Sequence, residues 1–240
     1  LFPYTALVRS VRKELESAGV DTRYIETSYE KDTVLAFNIL DSSKKVPTRL
    51  EVADEYVKLK KFDFDFQPDL IILDGGDTYA SKQTIERFPR AISVLKIDRF
   101  NQDIAAVALK VNYLICSLDF ASDVMKFPVD KSNVSSLVNC YTELRNRFEH
   151  QNIIITLGSN GAMYLVDDQI KISPALKMDI VDTSGCGDIF TGAFCYGLAA
   201  SYPLEKAIKY GNIAAGLATR TIGGRLSIPT LDEVNKIYEK

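Results

Sequence analysis

Apolar residues recur along the chain first at helical spacing and then in short strand-like runs. In residues 5–18 (TALVRSVRKELESA), Leu7, Val11 and Leu15 share a helical face, and Gly19 follows as a residue suited to closing a helix. Residues 33–40 (TVLAFNIL) are rich in β-formers and end in the polar cluster Asp41–Lys45, after which a charged amphipathic stretch runs from about Arg49 to Lys61. The alternation Asp63-Phe64-Asp65-Phe66 reads as a short half-buried strand or a loop, with no function attached to it.

After Pro68 the pattern becomes regular. Apolar runs at 69–73 (DLIIL), 91–97, 111–116 and 152–157 alternate with helical stretches ending near Phe88, at 101–109 and at 132–149. This alternation predicts an α/β fold: a doubly wound, mostly parallel sheet with helices on both faces and right-handed crossovers. Residues 162–166 and 169–172 flank Asp167-Asp168 as an antiparallel hairpin at one edge, and Met178–Val181 reads as a further strand. From Gly187 to Arg220 the chain is rich in Ala and Gly, which predicts two closely packed helices joined near Pro203.

The 240 residues, 46% of them hydrophobic, suffice for one large domain or two small ones. With 29 Lys plus Arg against 32 Asp plus Glu the net charge is -3, so the chain lacks the basic footprint of a nucleic-acid binder. A single histidine, His150, excludes mechanisms that need two imidazoles and is expected at a surface or helix end. The four cysteines, Cys116, Cys140, Cys186 and Cys195, form no C-x-x-C pair, which fits a reducing cytoplasm. No apolar run reaches the roughly 18 residues of a membrane span, and no membrane partner is expected. The first residue is Leu1, from which a longer parent protein is expected.

The segment that carries chemistry is Val181-Asp182-Thr183-Ser184-Gly185-Cys186-Gly187-Asp188-Ile189-Phe190-Thr191-Gly192-Ala193-Phe194, between a predicted strand and a predicted helix. Small residues let the backbone curl so that several N–H groups converge at a helix N-terminus, where unpaired donors and the helix dipole favour an anion such as phosphate. Asp188, in the first helical turn, could take a proton from a hydroxyl beside that anion. By themselves these residues serve equally as a capped tight turn. The segment is neither a Walker A loop, lacking Gly-Lys-Ser/Thr, nor the dinucleotide fingerprint, lacking the third glycine.

The string Asp182–Asp188, followed by Phe190, Gly192, Ala193 and Phe194, resembles the C-terminal signature of the ribokinase-like (PfkB) carbohydrate kinases. A second segment, Thr156-Leu157-Gly158-Ser159-Asn160-Gly161-Ala162, resembles that family's nucleotide-binding turn at the expected distance before it. The resemblance extends from about Ala18-Gly19-Val20-Asp21 to the end. It implies an ATP-dependent sugar kinase with Asp188 as base and Gly185, Cys186 and Gly187 as anion hole. Thr156, Gly158, Ser159 and Gly161 would line the nucleotide pocket, with Asn212 approaching the adenine. Asp182, Ser184, Ala218, Thr221, Gly223 and Ser227 would offer oxygens to a monovalent cation, potassium, unless they serve only the loop's own hydrogen bonds. Mg2+ is expected on the ATP phosphates, held mostly by phosphate and water.

Two departures from the family pattern stand out. The Asn-x-x-Glu expected after the strand at 111–116 is replaced by Cys116-Ser117-Leu118-Asp119-Phe120, where Asp119 either substitutes or caps a helix. This departure, with Asp74-Gly75-Gly76 and Asp98-Arg99, is more similar to the ketohexokinase and sulfofructose kinase side of the family. The family's first strands, its Gly-Gly sugar-binding segment and part of its small β lid would precede Leu1, so residues 1–240 are expected to be a single kinase domain without them. Family members pair through the lid, which allows a homodimer. The rival readings are an adenosine-like nucleoside kinase and a catalytically silent nucleotide-binding or regulatory protein. A nucleophilic Cys186 is the lesser reading of that thiol.

Overall fold

The computed structural model describes residues 4–27, 35–39, 48–52, 63–98, 102–149 and 152–239. They fall into two compact units, Leu1–Phe66 and Gln67–Lys240.

In the first unit, α1 (Tyr4–Ser17) runs into Gly19, whose φ of +81° lets the Val20 N–H turn back to the Leu15 carbonyl at 2.9 Å. β1 (Leu35–Ile39) and β2 (Thr48–Val52) pair antiparallel, with Phe37 opposite Leu50. β2 begins the stretch read as amphipathic, because Thr-Arg-Leu-Glu-Val alternates with period two and finds a partner in β1. The rest of that stretch and the polar cluster at 41–45 lie outside the described residues. Asp63–Phe66 is loop: Phe64 and Phe66 close on Tyr24 with ring centroids 5.1 and 5.4 Å away, and the Tyr24 hydroxyl donates to the Asp65 carboxylate.

The second unit is the predicted α/β layer structure. β3 (Leu70–Asp74), β4 (Ile92–Ile97), β5 (Tyr113–Ser117) and β6 (Ile153–Thr156) lie side by side and parallel. β7 (Ala162–Val166) and β8 (Gln169–Ser173) then add antiparallel, the hairpin read from the sequence. The crossovers hold α2 (Thr78–Arg87), α3 (Gln102–Ala108), and α4 (Leu118–Met125) with α5 (Val134–Phe148). Because successive strands add in one direction and parallel crossovers are right-handed, these helices share one face of the sheet. The other face is covered by α6 (Cys186–Ala199) and α7 (Leu204–Ala218), which cluster with Val94, Ile115 and Ile154. α8 (Leu231–Tyr238) packs on α7 through Val234 and opens with a capping box of Thr230 and Glu233.

Strand alternation decides what each face receives. The register aligns Leu73, Leu95, Leu114 and Ile153 in one row, and the next row holds Asp74, Lys96, Ile115 and Ile154. The row containing Lys96 is therefore on the α6–α7 side. α6 and α7 approach closely because a Cβ on Gly197 would lie 2.8 Å from that of Ala207, and one on Gly211 would lie 2.8 Å from the Phe190 ring.

One predicted strand is absent. Residues 174–180 form no regular element, and the Val181 and Asp182 N–H groups both donate to the Thr219 carbonyl, at 2.8 and 3.1 Å. The β-rich run Met178–Val181 bonds to the end of α7 instead of to a strand. Among the described residues no helix is long and apolar enough to cross a membrane. His150 lies outside the described residues.

Candidate active site

The carboxyl ends of the parallel strands carry the candidate residues, as open α/β sheets generally arrange them. Gly185 begins α6 in the left-handed region (φ 75°), and no side chain caps that helix. A Cβ on Gly185 would come within 3.1 Å of the Gly224 Cα, so glycine answers both the turn and the close approach of the 220–227 loop. The first turn of α6 thus presents its backbone to solvent with Asp188 beside it, an arrangement that suits an anion.

One side of this turn opens into a cavity of about 420 Å³. Thr156, Gly158, Ser159, Gly161, Cys186, Gly187 and Asn212 all line it, so the two motifs separated by some thirty residues meet in one place. Its apolar wall comes from Leu176, Met178, Ile180 and Phe190, and three of these belong to the irregular segment misread in part as a strand. Gly161 has φ +96°, and a Cβ there would overlap the Ser173 carbonyl oxygen and lie 2.6 Å from the Ala175 nitrogen. Thr156 donates to the Cys116 carbonyl at 3.3 Å, tying the end of β6 to β5. Asn212 is buried and spends its amide on the carbonyl and hydroxyl of Ser173, at 2.9 and 3.0 Å. It lines the cavity while holding the end of β8.

The other side of the turn is charged. The Lys96 ammonium lies 2.9 Å from Asp188 Oδ1 and 2.6 Å from Asp98 Oδ2. The Lys96 side chain is 19% exposed, against 74% for Asp188. Burial pulls the Lys96 amine toward its neutral form, but the hydrogen bonds it donates to Asp188 and Asp98 outweigh burial and hold the amine above its ordinary value. The sequence reading missed Lys96. Its one signal was a basic residue inside Ile-Ser-Val-Leu-Lys-Ile, a run whose other members are mostly buried. Asp188, Ile189, Tyr196, Tyr210 and Arg225 also line a second, largely apolar cavity of about 510 Å³.

Asp182 fastens the loop below the turn. Its Oδ2 accepts the Gly223 N–H at 2.8 Å and its Oδ1 the Ser184 N–H at 2.9 Å. These bonds hold its carboxyl below the usual carboxylate range, Gly223 contributing most. Gly223 in turn accepts the Ser227 N–H at 3.0 Å, Ser227 donates to the Gly224 carbonyl at 3.0 Å, and Ala218 accepts the Thr221 N–H at 3.3 Å. Of the six residues named for a monovalent cation, Asp182, Ser184, Gly223 and Ser227 are thus linked by the loop's own hydrogen bonds, and Ala218 and Thr221 form a separate pair.

Ser117, not Asp119, caps α4, accepting the Phe120 N–H at 3.0 Å, whereas Asp119 is exposed and 3.9 Å from Lys131. Among the described residues no three His, Cys, Asp or Glu side chains cluster as a metal site. Cys186 is half-buried with its thiol against the Ala215 carbonyl, and burial raises its pKa, which argues against a nucleophile.

The chain is 32% identical over 128 residues to a 2-dehydro-3-deoxygalactonokinase of Haloferax volcanii, an alignment covering 53% of this chain and 38% of that protein. It is 35% identical over 82 residues to a ribokinase of Lactococcus lactis, 34% of this chain and 27% of that one. These alignments span well under half the length of the curated relatives. In fold, the chain superimposes on a ribokinase of Cryptococcus neoformans in complex with ADP with a TM-score of 0.77, at 22% identity over 95% of this chain and 78% of the other. The description "pfkB family carbohydrate kinase" matches residues 7–231, nearly the whole chain. With the glycine turn, Asp188 and the cavity beside them in one place, the chain belongs to the pfkB family of carbohydrate kinases.

Proposed function

We propose that the protein is an ATP-dependent sugar kinase that transfers the γ-phosphoryl group of ATP to a hydroxyl of a small carbohydrate. The observation that carries this reading is the uncapped head of α6, which joins the 420 Å³ cavity on one side to the Asp188 carboxylate on the other. The nucleotide occupies the cavity, its base against Leu176, Met178 and Phe190 and its phosphates toward Gly158, Ser159 and the Gly185–Gly187 backbone. Asp188 accepts the proton of the acceptor hydroxyl as that oxygen attacks phosphorus and the bond to the bridging oxygen of ADP breaks. Backbone N–H groups at the turn stabilise charge spread over the transferring oxygens, and being fixed beforehand they need no reorganisation.

Mg2+ suits this site as a partner of the phosphates and water, since the described residues supply no carboxylate cage of their own. When bound it would neutralise phosphate charge. Potassium, bound by oxygens of Asp182, Ser184, Ala218, Thr221, Gly223 and Ser227, would steady the loop beneath the anion hole. The ADP-bound Cryptococcus neoformans ribokinase supports the nucleotide assignment by likeness of fold. Four free cysteines suit a reducing cytoplasm, and a homodimer, read by sedimentation, belongs to the same reading.

The test is ATP turnover with Mg2+ and K+ across ketoses, aldoses, their phosphates and nucleosides, with Asp188→Ala in parallel. A sugar-dependent rate that falls about 10²- to 10⁴-fold in the variant is the expected result. Nucleotide binding without turnover on any acceptor overturns it.

A further inference from the structure

Lys96 is an unusual residue for its place. Val94, Leu95 and Ile97 around it are fully buried, and strand alternation puts Lys96 on the face that Val94 presents to α6. Two residues beyond Val94, its side chain emerges at the head of that helix. A Cβ on Gly187 would lie 3.7 Å from Lys96 Cε, so the lysine stem runs along the glycine turn. Its ammonium then meets Asp98 at 2.6 Å and Asp188 at 2.9 Å.

We propose that Lys96 is a catalytic residue of the transfer: anchored by Asp98 and seated against Asp188, it gives its remaining N–H to the phosphoryl group passing from ATP to the acceptor. This rests on the kinase reading and on Asp188 as its base. An ammonium has three donors, and Asp98 and Asp188 take two. The acceptor oxygen must come within about 2.6–3.2 Å of the same Asp188 carboxylate to lose its proton. That brings the phosphorus bonding to it within the neighbourhood of Nζ.

The charge balance favours the same role. Asp98 and Asp188 without a cation would set two negative charges beside an incoming phosphate, and Asp74 occupies the neighbouring position to Lys96 on β3. Arg225 lines the cavity that Asp188 borders, and Cys186 and Asp182 complete the titratable groups of the turn. Lys96 lies closest to the carboxylate. During transfer the acceptor O–P bond forms, the bond to the ADP bridging oxygen breaks with its electron pair left on ADP, and the hydroxyl proton goes to Asp188. Lys96 stays protonated throughout.

The experiment compares the full chain with Lys96→Met, Lys96→Arg, Asp98→Asn and Asp188→Ala. Turnover is followed on the best acceptor, and binding of Mg·ADP is compared with Mg·ADP plus aluminium fluoride, a mimic of the phosphoryl group in flight. Expected for Lys96→Met is a fall in kcat of about 10²- to 10³-fold with KM for ATP within about twofold. It should keep ADP affinity but lose the tightening on fluoride, and Lys96→Arg should restore part of both. Asp98→Asn should bring the basic limb of kcat to lower pH, because one of the two partners that keep the amine protonated is gone. Melting temperatures identify a variant that misfolds, and Lys96→Arg then carries the comparison. Unchanged kcat and fluoride tightening in Lys96→Met, with activity lost in Asp188→Ala, overturns the Lys96 role alone. A wild-type protein that transfers to no acceptor and shows no fluoride tightening overturns the kinase reading, and the Lys96 role with it.

Discussion

On the Cys186–Gly187 side of the turn the wall is mostly backbone, small residues and apolar side chains, with Asn212 and Lys177 among them, whereas on the Asp188 side one ammonium is shared between two carboxylates. The first is a matter of shape: Gly161 sits against Ser173 with no room for a Cβ, and Gly185 against Gly224. The second is a matter of charge, with a partly buried lysine kept ionised by its partners. On the proposed function, the difference teaches that holding the nucleotide is separated from moving the proton and phosphoryl group. Substitutions on one side should therefore leave the other largely intact.

The strongest break in that comparison is Asp188→Asn, which removes the base but keeps its size. Turnover should fall by about three orders of magnitude while ADP affinity, read by calorimetry, stays within about twofold. An equal loss of both would show the two sides to be one.

Next in size is Gly161→Val on the opposite side. The residue would be forced to a φ of +96° against the Ser173 carbonyl, a cost of about 3 kcal/mol. For a chain of this length that lowers the melting temperature by about 6–12 °C, measured by calorimetry, with nucleotide binding lost first.

Asp182→Asn sharpens the comparison through the loop beneath both sides. Because the folded state holds this carboxyl below 3.8, its contribution to stability is present above that pH and is lost as pH falls through the folded value. The gap in melting temperature between wild type and variant should be full near neutrality and close in acid. A gap independent of pH would count against the Gly223 and Ser184 bonds as its cause.

The smallest effect concerns Cys186. Its thiol, raised by burial, should react with iodoacetamide at neutral pH more slowly than free cysteine, and ADP bound in the cavity that the residue lines should slow it further. Mass spectrometry of the modified peptide reads both. Rapid alkylation would overturn the burial argument.

Much of this was legible in the chain. Parallel strands buried on both faces read as short apolar runs, so β3 to β6 were found close to their observed bounds, and Asp167-Asp168 marked the hairpin of β7 and β8. Gly185 was legible because a tight turn into a helix favours glycine, and Gly161 through the family resemblance of its turn. Met178–Val181 misled because β-forming residues report a preference for extended backbone, and only the nearby Thr219 carbonyl decided which partner that backbone took. Lys96 was unreadable as a site residue because its meaning lies in contacts with Asp188, ninety-two positions later.

By itself, then, the sequence determined the alternation of strands and helices and a glycine turn opening a helix at Asp188, since periodicity and backbone freedom are local properties, while the 158–161 turn was read by resemblance. The tertiary structure alone decided that the two turns share a cavity, that Asn212 spends its amide on β8, and that Lys96 and Asp98 stand beside Asp188. The physical reason is that ion pairs and cavities form between groups brought near by sheet register and helix packing, and neither leaves a local periodicity in the chain.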